Sequence, residues 1–419
     1  MMNNPAYKDD DDMNVADMLI HKIDRTDLGP LTGVLVIDIG HIVAGPMVAS
    51  ILADFGATVI KVENPASLDP LRKVYPKNGV GLWAKSLDRN KLPITLNLKS
   101  PRGCELLEQV LAKADVLLEN FRPGVLERLG FARDRLLAEV NERLVIGRVS
   151  GWGQTGPFRT RRGYGRTGEA GSGFAQLNGT AEGPPSHSAA SLGDTAAAIW
   201  AAFGVMLALR ASERDGVGQV VDVALNEALM RMLEQQIPVF DQTGRILARM
   251  GSETPGMPTV NVYRTRDGGY FSVSNATPRT QAAYIRLVGL EGDPDLGTVA
   301  DTDRNRERFN AHVAAWMAER TLAEVDQLFD EAGAVGTPVW DAATITRNEH
   351  LAEREMVVSV DDPELGPFRM TGVVPKLSRT PGEVRHAGRM PGDANTQVLG
   401  GRLGLDQADI DLLRNEGVI

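Results

Sequence analysis

One carboxylate in this sequence is placed where it could act as a nucleophile. Asp194 ends the turn Ser191–Asp194 (SLGD) and directly precedes Thr195–Leu209, a stretch that is almost entirely apolar. That stretch has no charge and no proline, which predicts a helix buried on most of its sides. Asp194 would then be the N-cap residue, where unpaired N–H groups and the helix dipole favour its ionised form. From these residues alone, Asp194 is either a helix cap or a nucleophile.

The region before this turn predicts the scaffold that holds it. Residues Gly33–Glu63 indicate a βαβ unit, with a buried strand near Val34–Ile39 and a second near Thr58–Val62. Pro46 opens the intervening helix and Gly56 closes it, which is the usual punctuation of a helix. Alternation of this kind predicts a parallel sheet covered by helices.

The turn after the first strand argues against a nicotinamide cofactor. Glu63, at the end of the second strand, suits a dinucleotide-binding unit, but residues 40–45 read GHIVAG. They lack the GxGxxG pattern whose second glycine lets a pyrophosphate approach the backbone. We therefore disfavour a dehydrogenase.

Further strands and helices continue the same winding, so the fold class is α/β, with a Rossmann-like large domain and a smaller α+β domain. Further strands are expected at Pro93–Leu98, Val116–Glu119, Leu144–Val149 and within Gly216–Leu225, and a hairpin with an Asp-Gly turn at Tyr263–Val273. The chain divides into an epitope-tag-like start (1–12), an N-terminal extension (13–30), the large domain (31–225), a linker (226–262), the small domain (263–345) and a segment returning to the large domain (346–419).

Composition limits the classes of function. The net charge of −10 argues against a nucleic-acid or anionic-membrane surface, so an anionic ligand must meet a local basic pocket. Cys104 is the only cysteine, and no CxxC or HExxH pattern offers a metal site, which fits a reducing cytoplasm. The apolar run Thr195–Leu209 is too short to span a bilayer.

Several blocks, in a fixed order, resemble one protein family. They read DIGHIVAGPMVASILADFGATVIKVE from Asp38, ITLNLKSPRG from Ile94 and VLLENFRPGVLERLG from Val116, followed by the SLGD turn. This pattern resembles the class III CoA-transferases, the group of formyl-CoA transferase and carnitine CoA-transferase that also includes 2-methylacyl-CoA racemases. The resemblance extends from about Leu31 to the end of the chain.

The resemblance implies a role for Asp194 and an assembly. In this family the aspartate of the SLGD-like turn attacks an acyl-CoA thioester and then carries CoA as a covalent aspartyl thioester. A small carboxylic acid accepts the CoA, and no permanently bound cofactor is expected because CoA is the substrate. The subunits are expected to form an interlocked, ring-like homodimer.

The resemblance also implies which residues contact CoA and the acid. Lys99, Arg122 and Arg128 would supply positive charge for the CoA phosphates. His41 is either a pocket residue or a hydrogen-bonded loop histidine. The full set implied for CoA is His41, Val43, Ala44, Leu96, Asn97, Leu98, Lys99, Asn120, Phe121, Arg122, Arg128 and Arg162, with Tyr164 facing the acid.

Departures from the family pattern narrow the activity. Racemases have a His-Asp pair where this chain reads Gly163, Tyr164, Gly165, so one of the two bases needed to move an α-proton is missing. Val43 replaces the glutamine of formyl-CoA transferase, which counts against oxalate or formate. The segment Val80–Lys91 (VGLWAKSLDRNK) suggests succinyl-CoA as donor. A racemase and a CoA-binding protein without catalysis remain the alternatives.

Overall fold

The protein is described by a computed structural model that covers residues 29–254 and 256–419. The tag-like start and nearly all of the N-terminal extension lie outside these residues. The described chain divides into two compact units. The first comprises residues up to 174, 188–234 and 350–419, and the second comprises 175–187 and 235–349. The segment 175–187, which we assigned to the large domain, thus falls in the second unit.

Six parallel strands form the main sheet, in the order β5-β2-β1-β6-β7-β8. The order reverses between β1 and β6, and α/β sheets bind their ligands in the crevice beyond the carboxyl ends of the strands at such a point. The strands are β1 (Leu35–Asp38), β2 (Thr58–Glu63), β3 (Pro76–Lys77), β4 (Val80–Gly81), β5 (Lys91–Thr95), β6 (Val116–Glu119), β7 (Val145–Ser150), β8 (Val220–Ala224), β9 (Val260–Arg264), β10 (Tyr270–Ser274), β11 (Gly336–Pro338), β12 (Val357–Asp362) and β13 (Gly366–Thr371).

Helices cover both faces of this sheet and build most of the second unit. They are α1 (Ala44–Asp54), α2 (Leu82–Leu87), α3 (Pro101–Leu111), α4 (Val125–Arg128), α5 (Arg133–Arg135), α6 (Gly165–Gly171), α7 (Phe174–Leu177), α8 (Leu192–Asp215), α9 (Leu225–Met232), α10 (Gln236–Thr243), α11 (Pro278–Leu287), α12 (Val299–Arg304), α13 (Arg306–Ala318), α14 (Leu322–Ala332), α15 (Ala342–Ile345), α16 (Glu349–Glu353), α17 (Gly401–Leu403) and α18 (Gln407–Asn415).

The predicted βαβ unit is present, with small shifts at its ends. Helix α1 begins at Ala44, so Pro46 is its third residue rather than its first. Proline tolerates this position because the first-turn N–H groups of a helix have no partner within it. Strand β5 begins at Lys91, ahead of the expected Pro93, because an edge strand pairs on one side only and can accommodate a proline.

Two apolar layers pack against the opposite faces of the sheet. One contains the small residues of α8, among them Ala197, Ala201 and Val205, together with Val48 and Leu52 of α1. The other is built around α3, α18 and the inner sides of the same strands. The strands are buried on both faces, which explains why they read as continuous apolar runs.

Helix α8 is longer than the apolar run predicted. It begins at Leu192, with Ser191 as N-cap, and continues through a charged last turn to Asp215. Its 24 residues are long and apolar enough to cross a membrane by length and composition, with a mean hydropathy of 1.6, so our length argument was wrong. Half of the most apolar part of this helix is buried inside the protein, where it packs on the sheet. This is the position of a core helix.

The second unit is the predicted small α+β domain with its hairpin. Strands β9 and β10 are antiparallel, and β11 joins them in a three-stranded sheet. Its core is aromatic and includes Phe271, Tyr284, Phe309 and Phe329. Residues 236–243, expected within a linker, are helical. The last strands, β12 and β13, pair only with each other and belong to the first unit.

Candidate active site

The turn after β1 is held in place by buried side chains at the point where the strand order reverses. The N–H of Gly40 donates to Asp38 Oδ1 at 2.9 Å, and the carbonyl of Gly40 accepts from Lys61 Nζ. Asn120, which directly follows β6, accepts from the His41 N–H and donates to the His41 carbonyl, both at 2.7 Å. The side-chain amide of Asn120 therefore links the ends of β1 and β6, the two strands on either side of the reversal.

Ile42 continues this turn in a conformation that β-branched residues rarely adopt. Its φ is +65°, in the left-handed region, and its N–H donates to Asp69 Oδ2 at 2.8 Å. Burial opposes the charge on Lys61, but Asp38, Asp88 and Asp69 outweigh it and raise the pKa of Lys61. A strained backbone persists only where its surroundings over-determine it, and such strain is common at functional sites.

A cavity of 360 Å³ opens above this turn. His41, Val43 and Ala44 form one wall, next to the start of α1, and Asp194 belongs to another. Its lining residues are His41, Ile42, Val43, Ala44, Asn120, Arg122, Val149, Ser150, Gly151, Arg162, Gly163, Tyr164, Asp194 and Leu225. The cavity lies at the crevice where α/β folds bind their ligands.

A second cavity of 190 Å³ adjoins the first at His41, which lines both. Its walls include Leu96, Leu98, Lys99 and Phe121. The His41 ring lies 5.4 Å from the Phe121 ring, centroid to centroid. Burial, together with the nearby Lys61, lowers the pKa of His41, so its imidazole is neutral at pH 7. His41 is thus a pocket residue.

Asp194 is not the helix cap that the sequence suggested. Ser191 is the N-cap, and Asp194 is the third residue of α8, inside its first turn. Burial, followed by the charge of Glu169, raises the pKa of Asp194 to about 6, while Arg166 acts in the opposite direction. The expectation that the helix start favours the ionised form was therefore wrong, because desolvation and a second carboxylate outweigh it. A carboxylate with this pKa is still ionised at neutral pH, and it is more basic than an exposed one.

Glycines bring two backbone segments against this carboxylate. A Cβ at Gly165 would lie 2.3 Å from Asp194 Oδ2, and a Cβ at Gly193 would lie 2.4 Å from the Gly165 carbonyl oxygen. Gly151 and Gly163 approach each other in the same way, since a Cβ on either would be 2.8 Å from the other's Cα. The glycines of the GYG sequence at 163–165 thus let α6 pack against the turn that carries Asp194.

Twelve of the fourteen residues that the sequence singled out line one of these two cavities. The other two, Asn97 and Arg128, line neither. Asn97 accepts from the Lys99 N–H at 3.1 Å and so shapes the turn carrying Lys99, and Arg128 is exposed on α4. Among the described residues, no group of three or more His, Cys, Asp or Glu side chains could hold a metal ion.

Sequence reasoning missed the residues that act from outside the cavity. Asp69 and Lys61 hold the turn at Ile42, and Glu169 shifts the pKa of Asp194. Lys61 did carry a signal, because a lysine inside the apolar run TVIKVE must find buried carboxylates. Asp69 and Glu169 carried none, since nothing in the sequence indicates which distant backbone they face.

Comparison with known proteins decides the family. The family described as CoA-transferase family III matches residues 31–393. The chain belongs to this family. It is therefore an enzyme, a class III CoA-transferase, as the resemblance implied.

Relatives and solved structures of this family match the chain over nearly its whole length. The chain is 37% identical to succinyl-CoA--D-citramalate CoA-transferase of Chloroflexus aurantiacus, over 93% of this chain and 98% of that relative. It is 35% identical to the beta subunit of succinyl-CoA--L-malate CoA-transferase of the same organism, with the same coverage. A crystal structure of a CAIB/BAIF family protein from Brucella suis superposes with a TM-score of 0.81, at 24% identity, and covers 90% of this chain and 100% of that chain. This last likeness confirms the α/β fold.

Proposed function

We propose that this enzyme transfers CoA from succinyl-CoA to a small carboxylic acid through a covalent intermediate on Asp194. The observation that carries the proposal is the position of Asp194, a carboxylate with a pKa of about 6 in the wall of a cavity at the reversal of strand order. Two relatives named for succinyl-CoA, each matching 93% of the chain, support the donor.

The walls of the site suit CoA. Arg122 and Arg162 line the larger cavity and Lys99 lines the smaller one, which gives local positive charge to a protein of net charge −10. The phosphates of CoA would pair with these groups. The start of α1 has no side-chain cap, so its first N–H groups remain donors for an oxyanion beside Val43 and Ala44.

The proposed reaction exchanges one thioester for another without net proton transfer. The Asp194 carboxylate attacks the thioester carbonyl of the donor, and CoA leaves as a thiolate, which gives a mixed anhydride. The thiolate then attacks the Asp194 carbonyl carbon, which releases the donor acid as a carboxylate and leaves CoA as a thioester on Asp194. The acceptor carboxylate repeats these two steps in reverse. Asp194 ends as it began, and no water takes part.

The experiment that tests this function offers the purified protein a panel of acyl-CoA donors with free carboxylic acids and separates the thioester products. We expect succinyl-CoA with a small hydroxy-dicarboxylic acid to give a new CoA thioester and free succinate in equal amounts. Free CoA should not accumulate. Release of CoA without a new thioester would indicate a hydrolase, and no turnover with any pair would refute the transferase proposal for this chain.

We further propose that the protein is a cytoplasmic homodimer. One stripe of α8 supports this, because Ile199, Phe203 and Leu207 recur at helical spacing and each is more than half exposed in the single chain. A second subunit would cover them.

The dimer proposal predicts that assembly and folding are coupled. Sedimentation velocity at falling protein concentration is expected to show a dimer until the protein unfolds. The control variant Leu412→Ala removes an exposed apolar side chain of α18 and should leave the sedimentation coefficient unchanged. A folded monomer at low concentration would contradict the proposed assembly.

A further inference from the structure

A third cavity, of 820 Å³, lies on the other side of the nucleophile turn. Ser191, the N-cap of α8, and Thr195, which directly follows Asp194, both line it. Val43 lines this cavity as well as the 360 Å³ cavity, so the two cavities adjoin at Val43. Asp194 lines the 360 Å³ cavity and its neighbours Ser191 and Thr195 line this one, which leaves room for an acyl group beside Asp194.

The wall of this third cavity is mostly apolar. Met47, Ile51, Leu82 and Trp83 line it, and all are partly buried. Such a surface suits the methylene groups of a short acyl chain. These apolar side chains cannot form hydrogen bonds with a charged group at the end of such an acyl chain. That group needs a donor elsewhere on the wall.

Two arginines line the cavity, and their surroundings differ. Arg89 is matched to Asp54, with its Nε 3.0 Å from Asp54 Oδ1 and its Nη2 bonded to Oδ2, and it also donates to the Thr371 carbonyl. Its side chain is 12% exposed. The charge of Arg89 is thus neutralised within the protein.

Arg166 is half exposed and only partly engaged. Its Nη1 donates to the Ser188 carbonyl and lies 3.5 Å from Glu169 Oε2, and 50% of its side chain is exposed. Among the described residues, Nε and Nη2 of Arg166 have no hydrogen-bond partner. Two N–H groups of one guanidinium are the donors that a carboxylate accepts in a bidentate pair.

The position of Arg166 ties it to the reacting group. It follows Gly165, whose backbone contacts the Asp194 carboxylate, and its charge opposes the rise in the pKa of Asp194. Once Asp194 is acylated it carries no charge. Arg166 then attracts a second carboxylate without competition from the Asp194 carboxylate.

We propose that Arg166 binds the distal carboxylate of a dicarboxylic acyl group and so selects succinyl-type acids over monocarboxylic ones. This inference rests on the proposed function, since it places the acyl group next to Asp194. The chemistry recognised is a carboxylate two methylene groups from the thioester carbonyl. The chain occupies the apolar wall, and the charged end reaches the guanidinium.

The test compares succinyl-CoA with butyryl-CoA, which has the same four-carbon chain without the terminal charge. In Arg166→Gln, kcat/KM for succinyl-CoA is expected to fall by about 10- to 100-fold, and that for butyryl-CoA should change by less than about threefold. Arg166→Lys should lie between Gln and wild type, because a lysine keeps the charge but not the fork. Arg159→Gln, which removes an exposed arginine that lines none of these cavities, should change neither value.

Equal losses for both donors would overturn the inference, because Arg166 would then act through Asp194 or through the fold. Unchanged selectivity would overturn it as well. Failure of the proposed function looks different, since the wild type would then transfer no CoA. In that case the affinities of succinyl-CoA and butyryl-CoA for Asp194→Asn, measured by calorimetry with and without Arg166→Gln, still decide whether Arg166 recognises the second carboxylate.

Discussion

Replacement of Asp194 by Asn is expected to reduce CoA transfer by at least about a thousandfold, because the attacking oxygen loses its charge. The amide has nearly the shape of the carboxylate, so acyl-CoA should still bind. Incubated with acyl-CoA alone and quenched in acid, the wild type should carry a CoA adduct on the peptide containing Asp194, detectable by mass spectrometry. Hydroxylamine should cleave it. Full activity in Asp194→Asn would refute the nucleophile assignment.

The same substitution should stabilise the folded protein. A loss of activity in Asp194→Asn could then not be attributed to unfolding. Burial raises the pKa of Asp194 to about 6, so its charge above that pH destabilises the folded state by about 3 kcal/mol at most. Asp194→Asn removes this penalty, and the difference from the wild type should shrink as the pH falls below 6 and approach zero below pH 3.8, where the wild-type carboxyl becomes protonated in both the folded and the unfolded states. Asp215→Asn, at the exposed far end of α8, is the matched control.

The pH profile of the wild type follows from the same pKa. Below about pH 6 the carboxyl is protonated, so kcat should fall about tenfold per pH unit. His41 also gains its proton on the acid side of pH 6.5 because its pKa is lowered. Repeating the profile with His41→Gln isolates Asp194. An unchanged rate at pH 5 would count against a carboxylate nucleophile.

Gly165→Ala is expected to lower kcat by about a hundredfold while leaving CoA affinity nearly unchanged. The new methyl carbon would meet Asp194 Oδ2 at 2.3 Å and Cγ at 2.9 Å. These atoms belong to a side chain that can turn away, so the fold survives but the carboxylate leaves its place. Steady-state kinetics and calorimetry with CoA would measure the two effects separately.

Two other glycines calibrate this result. Gly193→Ala would press on the Gly165 carbonyl at 2.4 Å, a backbone atom that cannot turn away, so thermal stability should fall together with activity. Gly401→Ala meets nothing within 4 Å at a φ of −70° and should stabilise its helix without altering kinetics. Normal kcat in Gly165→Ala would show that the reacting carboxylate does not need the position seen here.

The large parallel sheet could be predicted because each of its strands is a short apolar run between turn residues. Val116–Glu119 was predicted to the residue. The helix that carries Asp194 was predicted in type but not in extent. Serine and aspartate cap helices about equally well, and in the folded chain Ser191, three residues earlier, is the N-cap. The capping preferences of single residues do not show that Gly193 must pack on Gly165, and this contact sets where the helix begins.

The properties of the site depended on contacts that the sequence does not reveal. The rise in the pKa of Asp194 comes first from burial and then from Glu169, which lies 25 positions earlier and acts on Asp194 only in the folded chain. The left-handed backbone at Ile42 depends on Asp69 in the same way. The family resemblance supplied twelve of the residues that line the two cavities, since these come from five separate segments that no local pattern connects.

The turn at Gly40–Ile42 bears on how the substrate specificity of this enzyme can change. All three of its N–H groups and two of its carbonyl groups are bonded to buried or partly buried side chains, so this wall has little freedom to adapt. Arg166 and Trp83 do not belong to this turn and line the separate cavity of 820 Å³. If CoA binds against this turn and the acid binds against Arg166, as proposed, the two parts of a substrate are recognised on separate surfaces. Substitutions in the 820 Å³ cavity would then change the preferred acid without altering the binding of CoA.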